Sequence, residues 1–416
     1  MQRLETLSID QVKMECSHWM QATSRLARLE NLASSYAWNG IDRHVRELMI
    51  DNLSASIKRI KDFGRQLEMQ LELGAEDYTR IRKSLLSLRQ QYVTTETTVH
   101  FFTDALNSRT NPSVASLLRA CDIMCSKSME AILPQLGKEV PHCFTYLDRG
   151  MGASILKSGL RLWDGSISPV AAIKITFHNL FRPTAAIHET GHQVAHILSW
   201  NNELAMQLNQ QLNAYSPRVA NAYASWASEI AADNFAFVHT GYAGVASLHN
   251  VVAGTPESVF AYHDGDPHPI SYLRVLLNIE CCRAFYGSGP WDNLEKSFKQ
   301  DYPIQTYNYS SIRLIKACEQ VLKKVVDICL TSTYKAFNGK SLTSIINPMN
   351  VSPSALEKFE SISGALIQSH AWINKECLKL LALAGYKIAT QLKDAQTHYR
   401  QQEQWMINLG TTVEKN

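Results

Sequence analysis

The sequence predicts a mainly α chain, α+β in class, with one mixed segment at its centre. Three observations predict it. Apolar residues recur at three- and four-residue steps from about residue 5 to 130, a Gly- and Pro-rich, β-prone texture begins near Leu136, and helical periodicity returns from about Pro183. In the first segment Leu53, Ile57, Ile60, Leu67 and Leu71 form a stripe, with Lys58, Arg59, Lys61 and Arg65 between them. A second stripe, Ile81, Leu85 and Leu88, is flanked by Arg80, Arg82, Lys83 and Arg89. Breaks are expected at Asn39-Gly40, at Gly74 and over 107–112, where turn formers cluster. The basic residues read as solvated helical faces; contact with an acidic partner is the competing reading.

The central stretch 136–184 holds five Gly, three Pro and the run Ala172-Ile173-Lys174-Ile175-Thr176-Phe177, which alternates like a strand with one buried face. Helices are then expected from Pro183 to Trp200 and from Ala220 to Val238. A polar loop, GTPESVFAYHDGDPHPI, follows at 254–270. Ile312, Ile315, Val321, Leu322, Val325 and Cys329 mark one further helix, and 366–405 another. The expected organisation is an N-terminal helical domain (1–135), a core (136–300) and a C-terminal helical region (301–416).

With 45% apolar and 19% charged residues among 416, the composition excludes a disordered or collagen-like chain. A net charge of +3 demands no nucleic-acid partner, and none is expected. No apolar run approaches 18 residues, and the N-terminus carries no apolar signal core, so a soluble, cytoplasmic protein without a transmembrane segment is expected. Nine scattered cysteines (Cys16, Cys121, Cys125, Cys143, Cys281, Cys282, Cys318, Cys329 and Cys377) read as buried free thiols in a reducing compartment.

The chemistry concentrates in AAIHETGHQVAHILSW, 185–200. On a helix, residues four apart are offset by about 40° and lie within roughly 6 Å at Cβ, so His188 and His192 can share one metal ion. Glu189 is rotated about 100° from His188 and reaches beside the ion, where a base would take a proton from water. His196 lies about 12 Å along the axis from His188 and belongs to the helix face. Such a site needs a third protein ligand. The position ten residues after His188 is Leu198, which cannot serve, so a second helix must supply it. SWASEIAADNFAFV, 225–238, offers Glu229 as ligand, with Asp233 on the same face to accept the outer N–H of a ligand imidazole. Trp226, Ile230, Phe235 and Phe237 supply packing, while Ala227, Ala231 and Ala232 permit close approach. Two acids on a solvent face form the competing reading. In the loop, His268 and Arg274 are donors for an oxyanion, each worth ~3 kcal/mol when preorganised, if the loop folds back over the metal. Tyr262 and His263 are weaker candidates.

These residues resemble a gluzincin metallopeptidase, closest to the family of the CAAX prenyl protease and the HtpX heat-shock protease. His188 to His192 match HExxH, Glu229 to Asp233 match ExxxD, and His268, Pro269 and Arg274 match HPxxxxR. The resemblance implies a zincin-like core with a small mixed sheet, zinc on His188, His192 and Glu229, and Glu189 as general base. It also implies an edge strand ahead of the zinc helix, with Ala172–Phe177 the candidate, that pairs with an extended substrate. Those proteases are membrane-embedded, unlike the expectation here. The expected function is therefore a zinc endopeptidase acting on protein or peptide, with the N-terminal helical domain open to a regulatory protein. A helical interaction module with a structural or vestigial zinc site, and a zinc hydrolase of a non-peptide amide, are the alternatives.

Overall fold

The computed structural model describes residues 2–73, 77–150, 152–307 and 309–411, with side chains described from residue 8 onward, Phe181 excepted. Among them are nineteen α-helices and three strands, so the chain is mainly helical with a small sheet. The chain divides into two compact units, 1–115 with 156–172, and 116–155 with 173–416. The first unit thus leaves its opening span at Ala115, inside the segment expected as the N-terminal helical domain.

Helices α1 (Gln2–Leu26), α2 (Ser35–Asn39), α3 (Arg43–Glu72) and α4 (Tyr78–Asn107) make up most of the first unit. Asp42 starts α3 by accepting from the amides of His44 and Val45 at 2.9 and 3.2 Å, and Asp77 does the same for α4 at Arg80, 3.1 Å. The two predicted stripes are buried: Ile60, Leu67 and Leu71 of α3 meet Ile81, Leu85 and Leu88 of α4 and Val12 and Cys16 of α1. Lys58, Arg59, Arg65, Arg80, Lys83 and Arg89 are exposed. Chain breaks occur at Asn39-Gly40 and between Asn107 and Pro112; the one expected at Gly74 lies outside the described residues.

After α5 (Pro112–Glu130) come β1 (Cys143–Leu147), β2 (Ser154–Leu156) and β3 (Ala171–Ile175), in the sheet order β1-β3-β2. The expected edge strand is therefore corrected: β3 is the central strand. Its backbone is flanked on both sides, so it cannot pair with an extended peptide. Four of its five residues are buried, not one face only, and Phe177 already belongs to a short 3₁₀ turn.

The remaining helices are α6 (Thr184–Leu198), α7 (Trp200–Leu212), α8 (Pro217–Ser225), α9 (Ala227–Thr240), α10 (Tyr242–Val252), α11 (Pro256–Val259), α12 (Ser271–Tyr286) and α13 (Pro290–Asp301). Beyond them lie α14 (Ile312–Glu319), α15 (Leu322–Val326), α16 (Leu342–Ile345), α17 (Pro353–Ser363), α18 (His370–Thr390) and α19 (Ala395–Gly410). Two single helices expected here are each broken in two. The 312–329 stripe splits into α14, which packs on α12 and α8, and α15, which packs on α12 and runs into a π-turn against α7 and α9. Both halves share α12 as a neighbour; the break falls at Val321, whose φ of −113° and ψ of 5° leave the helical path. The 366–405 stretch turns at Gln391, and α19 folds back onto α18. All nine cysteines are free and buried, and among the described residues no helix is long and apolar enough to cross a membrane.

Candidate metal centre

Helices α6 and α9 pack along each other more extensively than any other pair of elements. Small residues make this possible. A Cβ placed on Gly191 would stand 2.8 Å from Ala232 Cα and 3.0 Å from both Ala232 O and Phe235 Cβ. Trp226, Ile230, Phe235 and Phe237 are buried around the contact, and every residue of α9 except Ser228 is buried. On its outer side α6 is tied to α5: the Ser128 and Thr190 hydroxyls share a hydrogen bond of 2.9 Å, and Thr190 donates to Ile187 O. The helix that carries both histidines is thus held on two sides.

This packing brings together residues 37 to 45 apart in sequence. His188 Nε2 lies 3.5 Å from Glu229 Oε2, and His192 Nε2 lies 3.2 Å from Glu229 Oε1. One ligand atom from each of the three falls within 4.8 Å of the others. Three such atoms, two imidazole nitrogens and a carboxylate oxygen, form a group that could hold a metal ion. The two rings stand edge to face at 89°, with centroids 4.8 Å apart. His196 is exposed and takes no part.

The outer nitrogens of both rings face oxygen atoms. His188 Nδ1 is 2.8 Å from Asp233 Oδ1, and His192 Nδ1 is 3.4 Å from Ser228 Oγ. A proton held on Nδ1 leaves Nε2 as the free lone pair a cation requires. Asp233 is gripped in turn by Arg274, whose Nε and Nη2 donate to its two oxygens at 2.7 and 2.8 Å. Nη2 also approaches Glu229 Oε2 at 3.0 Å. Asn278, one turn further along α12, donates to Asp233 Oδ2 at 3.3 Å. The loop folds back far enough to put His268 Nε2 3.7 Å from Glu229 Oε1, with its side chain 62% exposed. Tyr262 donates instead to Asp264, and His263 is exposed.

Glu189 sits 6% exposed beside this cluster, and burial raises its pKa, with His188 and His192 opposing. Burial alone would also raise Glu229 and Asp233. In Glu229 the hydrogen bonds from His188 and His192 and the charge of Arg274 win and hold the carboxyl well below the usual range. In Asp233 the charge and hydrogen bonds of Arg274 win, and the pKa falls to about 2. Burial would lower His188, but Asp233 and Glu229 together push it up to about 10. The Glu229 and Asp233 carboxylates thus face one permanent cation, Arg274, and the two imidazoles.

Sequence reasoning named His188, Glu189, His192, Glu229, Asp233, His268 and Arg274, and the fold gathers all of them at one place. It missed Ser228, Asp266 and Asn278. Each was within reach of a positional argument: Ser228 precedes the expected ligand, Asp266 stands two residues before His268, and Asn278 follows Arg274 by one helical turn. No protein-family model, curated protein or solved structure matches this chain.

Proposed function

We propose that this protein is a zinc-dependent endopeptidase of the HExxH type, built on a zincin-like core. The observation that carries the reading is the convergence of His188 Nε2 and His192 Nε2 on the Glu229 carboxylate at 3.5 and 3.2 Å, with Glu189 buried one residue along the same helix. A purely structural site has no use for that glutamate. A zinc ion held by the three ligands would supply a Lewis acid for the substrate carbonyl and would lower the pKa of its water.

The chain's own residues supply the rest. Glu189 takes the proton of the attacking water and returns it to the leaving nitrogen; a carboxylate with a raised pKa suits both directions of that transfer. Asp233 fixes the tautomer and orientation of His188. Arg274 acts as a clamp on Asp233 and Glu229: its Nε and Nη2 are engaged by carboxylates, which argues against the oxyanion role expected for it. Breaking that clamp would leave two buried carboxylates uncompensated.

The decisive experiment pairs metal analysis with a peptide-library assay. The parent should bind about one zinc per chain, His192→Ala none, and Glu189→Gln one zinc with hydrolysis lost by at least about a hundredfold. A parent without zinc, or a Glu189→Gln variant as active as the parent, ends this reading. One observation favours a second substrate class: β3 is flanked on both sides, so the strand ahead of α6 offers no edge to an extended chain. A small non-peptide amide would need no such edge. Cleavage of acyl-amino-acid amides with no cleavage in the peptide library would select that class.

A further inference from the structure

Three imidazoles, not two, turn Nε2 toward Glu229: His192 at 3.2 Å, His188 at 3.5 Å and His268 at 3.7 Å. Each has its Nδ1 against an oxygen. For His188 this is Asp233 Oδ1 at 2.8 Å, for His192 Ser228 Oγ at 3.4 Å, and for His268 Asp266 Oδ1 at 2.7 Å. An ionised carboxylate only accepts hydrogen bonds, so the tautomer that fits Asp266 carries its proton on Nδ1 and presents a lone pair at Nε2. Such a nitrogen cannot donate to an oxyanion. It can ligate.

The aim of this ring is also fixed by its backbone. The same Asp266 Oδ1 accepts from the His268 amide at 2.9 Å, and Pro267 and Pro269 restrict the chain on either side. The geometry therefore repeats, on a loop, the arrangement by which Asp233 presents His188 on a helix. The differences are position and exposure. His268 Nε2 lies just outside the three-residue cluster, and its side chain is 62% exposed against 16% for His188 and 11% for His192.

We infer that His268, aimed by Asp266, is a displaceable fourth ligand of the metal seat formed by His188, His192 and Glu229. The inference rests on the metal reading proposed above and adds a regulatory feature to it. With His268 drawn in, all four positions are filled by protein. With the 261–270 loop swung out, the fourth is open to water and substrate. Asp266 is a positioning residue in this scheme, since it acts only through the ring.

The test uses full-length protein loaded with cobalt(II), whose visible absorption reports ligand number and type. Parent, His268→Ala and Asp266→Asn are compared by spectrum, by zinc affinity in chelator competition and by titration with acetohydroxamate. The parent should bind one cobalt. His268→Ala should change the band positions and intensities, weaken zinc by about tenfold or more, and bind hydroxamate more tightly because no protein ligand must leave. Asp266→Asn should weaken zinc by roughly 10- to 100-fold with the ligand set retained. Spectra and affinities identical to the parent in both variants would overturn the inference alone. So would a His268→Ala variant with parental spectrum and affinity but reduced kcat, the result that marks an oxyanion donor. A parent that binds no cobalt would remove the metal reading itself, and this inference with it.

Discussion

His239, in the last turn of α9, shows what burial does to a histidine that has no cation to hold. It is 5% exposed, its Nε2 has no hydrogen-bond partner among the described residues, and its ring meets Phe235 with centroids 4.7 Å apart. Burial lowers its pKa to about 4, against a small opposing hydrogen bond with the Ser128 backbone. The unfolded chain takes up this proton near pH 6.5, the folded chain only near 4, so stability is full above 6.5 and falls as pH drops through that window. The loss amounts to about 3 kcal/mol, from 1.36 kcal/mol per unit. Denaturant melts of His239→Phe should show a flatter stability curve between pH 6.5 and 4 than the parent; parallel curves would place the acid sensitivity elsewhere. His188, on the same pair of helices, moves the opposite way because Asp233 and Glu229 face it. Identical side chains thus take opposite roles according to their neighbours.

At the scale of elements, the centre depends on the contact between α6 and α9. Gly191 lies between His188 and His192, and a methyl there would press on Ala232 and Phe235 at 2.8–3.0 Å. Backbone cannot yield as a flexible side chain does. Gly191→Ala should therefore cost about 1–3 kcal/mol and weaken metal binding, because the helices must separate or rotate. Thermal unfolding and chelator competition together check this. A variant with parental stability and affinity would show that the close approach is not what sets the ligand spacing. A control at His196, exposed on the same helix, should leave both unchanged. The sheet tells a complementary story: alternation in residues 172–177 announced a strand, but its neighbours made it central and buried it almost throughout.

For the whole molecule, a cation bridging α6 and α9 would act as a staple between segments far apart in sequence. A ligand that binds only the folded state stabilises it by RT ln(1 + [L]/Kd), about 4 kcal/mol when free ion exceeds Kd a thousandfold. Stripping metal with a chelator should lower the parent's melting temperature, zinc should restore it, and His192→Ala should respond to neither. Equal melting curves for stripped and reloaded parent would mean that no cation joins the helices.

Helix content, the apolar stripes of α3 and α4, and the residues that meet at the centre were legible in the sequence, because they follow from local periodicity and from the spacing of donor atoms along one helix. The motif in α6 places two imidazoles on one face whatever surrounds them. Three things were not legible: that β3 is central, that the stripes at 312–329 and 366–405 break, and that Arg274 faces carboxylates. The place of β3 and the partners of Arg274 depend on which distant segment arrives alongside, and side-chain order along the chain carries no such information. Sequence alone determined which atoms were available to hold a cation. Tertiary packing decided that they converge at 3.2–3.5 Å, because only the close approach of α9 to Gly191 carries Glu229 to the two histidines.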